Sequence, residues 1–160
     1  PYAGAIYDPT RSALYWAENG VGAFMDDQPI SHEGPTEKLR VYSAGFHKKP
    51  EKDFIVNSLG IGEIREKGSA LTFCDIAKGE IDLYMRFGPT SEWDTAAAQV
   101  ILEEAGCVLL EGVTLKTMEY GKEKYLNRGM VACHKSLEEK VTKFLSEHGP
   151  MKQRYRGEGG

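Results

Sequence analysis

No apolar run in the sequence reaches the roughly 18–20 residues that a membrane-crossing helix requires, so no segment reads as a transmembrane helix. Cysteine is scarce. Cys74, Cys107 and Cys133 stand far apart, each inside an apolar run, without Cys-x-x-Cys or Cys/His spacing. That excludes a zinc-finger site and a disulfide framework. An odd number of thiols in such settings reads as reduced, buried side chains of a cytoplasmic protein. Basic charge is not in excess: 20 Lys and Arg against 24 Asp and Glu leave a formal net charge of −4. A broad basic surface for a nucleic-acid polymer is therefore excluded, while a local basic pocket is not. Internal repeats are absent, and only residues 151–160 are low in complexity, a Gly-rich charged tail expected to fray. No secretory leader pattern opens the chain. Pro1 stands directly before a strand pattern, which reads as the start of a piece of a longer protein.

What is present is an ordinary globular composition, with 41% hydrophobic and 28% charged residues over 160 positions, enough for one domain region at 1–150 with a sizeable core. Strand patterns at 3–7, 12–18 and 21–25 are separated by Asp8-Pro9-Thr10 and Asn19-Gly20, both turn signals, and predict an antiparallel meander. Residues 26–38 are polar and read as loop. From residue 39 strands and helices alternate. Strands are read at 39–44, 61–66, 81–86, 107–110 and 129–133. Helices are read at 50–59, from Ser69 to about Lys78, from Asp94 to Ala105, and at 136–147, where Ser136 and Glu139 form a capping-box pattern. The pattern predicts an α/β layered sandwich, a central sheet flanked by helices with an N-terminal antiparallel meander.

The chemistry concentrates in Arg86-Phe-Gly-Pro-Thr-Ser-Glu-Trp-Asp94-Thr-Ala-Ala-Ala. A strand ends at Arg86, a Gly/Pro loop follows, and Asp94 stands at a helix start. Strand ends and helix N-termini of open α/β sheets collect ligands, because free backbone N–H groups there point at an incoming anion. A carboxylate at the same place is a donor for a hard cation such as Mg2+, and Arg86 offers a planar fork to a phosphate. Residue types alone favour Asp94 as a plain helix N-cap, worth about 1 kcal/mol.

These segments, with Gly68-Ser69, Gly79-Glu-Ile-Asp-Leu-Tyr, Trp93-Asp94-Thr-Ala-Ala and Glu104-Ala-Gly106, resemble the C-terminal signature of the inositol monophosphatase superfamily. Tyr84-Met-Arg-Phe-Gly-Pro-Thr90, the opening Gly4-Ala-Ile-Tyr-Asp-Pro9, and Tyr125-Leu-Asn127 with Gly129 are similar to the bacterial 3'(2'),5'-bisphosphate nucleotidases. The resemblance spans roughly residues 3–133. It implies a Mg2+-dependent phosphatase that removes the 3'-phosphate of adenosine 3',5'-bisphosphate to leave AMP. Asp94 is implied as the metal-bridging and catalytic carboxylate contributed by this half, and Arg86 as a contact to a substrate phosphate. Ser43 and His47 are implied to approach the nucleotide, and Gly68 and Ser69 to form the substrate loop. The family pattern near residue 43 is Ser-Arg-Ser-His, against Ser43-Ala-Gly-Phe-His47 here. The family's other metal ligands, an Asp-Pro-x-Asp-Gly-Thr motif and an earlier Glu, have no counterpart, and Asp8-Pro9-Thr10 reads as a structural turn. The expectation is thus a C-terminal half whose partner is the missing N-terminal, metal-binding half, inactive when isolated, with homo-oligomerisation allowed through surface exposed at the lost junction.

Other readings stay open. An inositol- or fructose-phosphate phosphatase fragment is one, although relatives of that kind usually carry an acidic residue near position 86. A non-catalytic phosphate- or nucleotide-binding module is another. Among the remaining residues, His32, His134 and His148 read as surface side chains and Lys122 with Lys124 as a solvated face. Trp16 reads as a packing residue, Trp93 as a buttress for Asp94, and Leu71, Phe73, Cys74, Ile76 and Ala77 as a core helix.

Overall fold

A computed structural model of the protein describes residues 1–44 and 49–148; His47 and the tail read at 151–160 lie outside the described residues. The chain opens as an antiparallel meander, β1 (Ala3–Asp8), β2 (Ala13–Glu18), β3 (Gly22–Met25) and β4 (Gln28–Ile30), in the order β1-β2-β3-β4. The β1–β2 turn is tied by the buried Asp8, whose Oδ1 accepts the Thr10 N–H at 2.9 Å and the Thr10 hydroxyl at 2.6 Å. The β2–β3 hairpin pairs Glu18 with Gly22. Its turn is therefore three residues long, with Gly20 and Gly22 both at positive φ, where the Asn-Gly signal predicts two. β4 falls in the segment whose polar composition predicts loop. It forms because Asp26 takes a left-handed conformation at φ 53 and turns the chain back, while Asp26 Oδ1 accepts the Leu14 N–H at 2.9 Å. Pro29 is tolerated because β4 is an edge strand.

The central sheet holds β5 (Leu39–Ala44), β6 (Ile61–Glu66), β7 (Leu83–Arg86), β9 (Cys107–Glu111) and β11 (Met130–His134), in the order β6-β5-β7-β11-β9. β5 runs parallel to both β6 and β7, whereas β11 is antiparallel to β7 and β9. Two further short strands, β8 (Thr90–Ser91) and β10 (Leu126–Asn127), pair apart from it.

Helices α1 (Lys49–Leu59) and α4 (Glu138–His148) cover one face, closing a core of Val41, Leu83, Met85 and Val131 with Leu59, Val141 and Leu145. Helices α2 (Leu71–Ala77) and α3 (Ala96–Glu104) cover the other, and the meander lies beyond them, so that Tyr15, Ala17 and Ala23 share one core with Ile76, Ile101 and Leu109. The close approach of meander and helix depends on Gly4, since a Cβ there would stand 2.5 Å from the Ala97 carbonyl oxygen.

Three local expectations are corrected. α2 starts at Leu71, with the Ser69 carbonyl accepting the Thr72 N–H at 3.1 Å. The capping box at Ser136 does not form; the His134 ring accepts the Ser136 N–H at 3.2 Å ahead of a 3-10 turn at Lys135–Leu137. His32 is buried, not superficial. Its Nε2 lies 3.1 Å from the Ile81 carbonyl oxygen, and its ring packs 4.9 Å from that of His134. Burial and the neighbouring His134 hold the His32 pKa below its ordinary value. All three cysteines are buried and free, and no helix among the described residues is long and apolar enough to cross a membrane.

Candidate active site

Because β5, β6 and β7 are parallel, their C-terminal ends meet at one edge of the sheet, and the segments that follow them emerge there together. Lys67–Ala70 follows β6, and Phe87–Asp94 follows β7. Between these segments opens a cleft of about 300 Å³ lined by Gly68, Ser69, Tyr84, Arg86, Trp93 and Asp94, among others. Four residues singled out in the sequence over a span of 27 positions are thus brought to one cavity. Ser43 is not among its lining residues. It lies buried on β5, in register with Met85, and its Oγ has no hydrogen-bond partner among the described residues.

Arg86 is half-buried at the end of β7, with a buried Nε that has no partner among the described residues. A Cβ on Gly68 would stand 3.5 Å from an Arg86 guanidinium nitrogen and 3.8 Å from the Tyr84 hydroxyl, which places the Gly68 backbone directly beside both side chains. Burial pushes the Tyr84 phenol above its ordinary pKa, and the adjacent Arg86 only partly offsets this. The Tyr84 ring meets Phe73 edge-on at 5.7 Å between centroids, which makes the cleft floor apolar beneath its charged wall.

Asp94 is not the N-cap of α3. It is the third residue of a 3-10 turn, Glu92–Asp94, in which the Ser91 side chain accepts the Asp94 N–H and Asp94 Oδ2 accepts the Ser91 N–H at 2.8 Å. This capping box fixes the carboxylate and leaves Oδ1 without a hydrogen bond among the described residues. The side chain is exposed. Trp93 does not buttress it, since the indole is 73% exposed at the cleft rim.

The residues that do secure this turn are Glu92, Asn127 and Lys122, the last of which the sequence pattern presents as part of a solvated face. Glu92 is buried, and its carboxylate accepts the N–H groups of Gly121 at 2.8 Å and Lys122 at 3.0 Å, and pairs with the Lys122 ammonium at 2.8 Å. The Lys122 side chain above all, against the cost of burial, holds the Glu92 pKa down to about 2. Asn127 is fully buried behind the turn and donates to the Ser91 carbonyl and the Thr95 hydroxyl, each at 3.0 Å. The signal in the sequence for the first of these is the Glu directly before the Trp93-Asp94 pair.

Among the described residues no group of three or more His, Cys, Asp or Glu side chains could hold a metal ion. Among the described residues Asp94 is the one acidic residue lining the cleft. A fixed, exposed carboxylate with one oxygen unengaged fits a single-ligand contribution to a hard cation, which takes one or two carboxylates and completes its shell with water and substrate phosphate.

A layered α/β domain with a carboxylate and a guanidinium lining one cleft at its parallel strand ends places them where such folds collect ligands. The chain belongs to the Inositol monophosphatase family, whose profile matches residues 1–149. It is 33% identical over 133 residues to the 3'(2'),5'-bisphosphate nucleotidase CysQ of Salmonella typhimurium, covering 81% of this chain and 53% of that protein. It is also 33% identical over 154 residues to Inositol monophosphatase 1 of Bos taurus, covering 89% of this chain and 53% of that protein. The crystal structure of CysQ from Bacteroides thetaiotaomicron superimposes with a TM-score of 0.66 at 28% identity, covering 84% of this chain and 58% of that one. The chain thus spans about half the length of the curated relatives it matches.

Proposed function

We propose that residues 1–150 form the C-terminal domain region of a cytoplasmic, Mg2+-dependent 3'(2'),5'-bisphosphate nucleotidase, a phosphatase that converts adenosine 3',5'-bisphosphate to AMP and phosphate. Overall identity is the same to a nucleotidase and to an inositol monophosphatase, so the local chemistry of the cleft carries the choice. The observation that carries it is the Arg86 guanidinium in the same cleft as Asp94, with Gly68 beside it. A planar, permanently charged fork suits a phosphate and repels no part of a bisphosphate, whereas a sugar hydroxyl calls for an acceptor. The three buried free thiols suit a reducing compartment.

Members of this family are generally metal-dependent phosphatases. Asp94 would hold a Mg2+ ion through the oxygen that its capping box leaves unengaged, and the ion supplies charge stabilisation and water activation when bound. Arg86 binds and orients the phosphate that is not cleaved. The Gly68-Ser69 segment lets the substrate approach the backbone, and the Phe73–Tyr84 floor limits water beneath it. The remaining metal ligands would come from the rest of the longer protein.

The test compares kcat/KM for adenosine 3',5'-bisphosphate and inositol 1-phosphate in the full-length protein, with residues 1–160 alone in parallel. A preference of tenfold or more for the bisphosphate is expected. A preference for inositol phosphate sinks the assignment. Residues 1–160 alone are expected to bind phosphate without turnover, and cation-dependent hydrolysis by them would refute the division of ligands between two halves.

A further inference from the structure

We infer that Asn127 is a positioning residue for Asp94. This rests on the reading of Asp94 as a cation and phosphate-site carboxylate. Asn127 has no exposed surface and is not itself among the residues that line the cleft. It lies in β10, paired in register with Thr90 of β8. Its Nδ2 donates to the Ser91 carbonyl at 3.0 Å and to Thr95 Oγ1 at 3.0 Å, with Thr90 Oγ1 at 3.3 Å. Ser91 and Thr95 bracket Asp94. One side-chain amide therefore pins the chain on both sides of the carboxylate.

The pinning has only one sense. The Ser91 carbonyl can only accept, so the amide nitrogen must face it. The fully buried Thr95 donates its own proton to the Glu92 carbonyl at 3.1 Å and is approached by the Tyr120 hydroxyl at 3.3 Å, which leaves its oxygen as an acceptor for Asn127. Asn127 Oδ1 is buried with no partner among the described residues, an arrangement that costs stability. An apolar side chain would avoid that cost, which points to a role for the amide donors beyond packing. From Ser91 the constraint passes to the carboxylate itself, because the Ser91 N–H donates to Asp94 Oδ2 at 2.8 Å. Fixing a ligand's orientation from behind in this way is worth roughly ten- to a hundred-fold in metal affinity or activity in metal sites generally.

The experiment uses the full-length protein and two independent breaks in the network. Asn127→Asp keeps the shape and turns a donor towards the Ser91 carbonyl into an acceptor. Thr95→Val keeps the shape and removes the accepting oxygen, while Thr95→Ser retains it. Cation titrations of activity with Mg2+ and backbone amide exchange over residues 90–95 are read for each. Asn127→Asp and Thr95→Val are expected to raise the half-saturating Mg2+ concentration by roughly tenfold or more, with KM for the substrate nearly unchanged. Exchange is expected to speed at residues 91 and 94 but not in β9 or β11, and Thr95→Ser should behave as wild type. If Asn127→Asp does not fold, the contrast between Thr95→Val and Thr95→Ser decides. An unchanged Mg2+ requirement with unchanged exchange at 91 and 94 overturns the inference. A wild-type protein without phosphatase activity sinks the proposed function alone, and the exchange measurement then decides the positioning of Asp94 separately.

Discussion

Ser91 and Asp94 are locked to each other: the Ser91 N–H donates to Asp94 Oδ2 at 2.8 Å, and the Ser91 side chain accepts the Asp94 N–H in return. The carboxylate that resembles a family metal ligand is therefore also a piece of local structure, and the two roles separate chemically. Asp94→Asn keeps an amide oxygen to accept the Ser91 N–H but offers a poor donor to a hard cation. The full-length variant is expected to lose at least a hundredfold in kcat while its melting temperature stays within a few degrees. Parallel kinetics and thermal melts check this, and retained activity refutes the ligand role of Asp94.

Arg86 tests which substrate the cleft reads. Arg86→Lys preserves charge but loses the planar fork. Hydrogen bonds to charged groups are worth about 1.5–3 kcal/mol, so KM for adenosine 3',5'-bisphosphate is expected to rise roughly ten- to a hundred-fold. KM for adenosine 3'-monophosphate, which lacks the second phosphate, is expected to change little. Equal effects on both substrates would place Arg86 at the cleaved phosphate instead.

The meander is seated on α3 through a position that has no room for a side chain. The atoms a Cβ on Gly4 would meet are backbone atoms of Ala97, at 2.5 and 2.7 Å, which cannot swing aside. Gly4→Ala is expected to destabilise the protein by about 1–3 kcal/mol. Gly88→Ala, with nothing within 4 Å and no positive φ, serves as the control and should melt as wild type. Chemical denaturation of both variants measures the difference.

Mild acid is expected to act on the His32 cluster before the carboxylates. His32 faces Asp82, Arg40, His134 and the Ile81 carbonyl; burial, His134 and Arg40 outweigh the raising effect of Asp82, so its folded pKa lies below the ordinary 6.5. The neutral ring is the folded form. Its contribution to stability is complete above pH 6.5 and is lost as pH falls from there towards the lowered folded pKa. Urea midpoints measured from about pH 8 to about pH 5 should drop below pH 6.5 in the wild type and stay flatter in His32→Gln. Glu92 belongs to a lower window, between its ordinary 4.5 and about 2, where protonation releases the turn from Gly121 and Lys122.

Much of the architecture follows from local pattern. The alternation of apolar residues at 39–44 predicts a strand with the bounds observed for β5, and the short strand read at 61–66 has those of β6. The turn chemistry of Asp8-Pro9-Thr10 and Asn19-Gly20 predicts the meander, and the runs around the cysteines predict their burial. Arg86, Asp94, Gly68 and Ser69 were named from residue type, position and resemblance, and these four line one cleft. β4 escaped because a left-handed aspartate and an edge proline do not look like strand. His32 escaped because its chain neighbours are polar, while its ring is buried against Ile81, 49 residues on. Trp93 is large and aromatic, which favours packing, yet the short turn that carries it leaves the indole in solvent.

The sequence by itself determined the order of the longer strands and of the helices, the layered class, and the donors that phosphate chemistry needs, since periodicity, turn residues and functional-group chemistry are local properties. Tertiary structure alone decided that β5, β6 and β7 end side by side and so bring those donors to one cavity. It also decided that Asp94 is held through Ser91 by Asn127, 36 residues beyond Ser91, and that Glu92 is anchored by the Lys122 segment. The reason is physical: a buried hydrogen bond is worth most where both partners lose water together, and which distant groups share that burial is settled only when the layers pack.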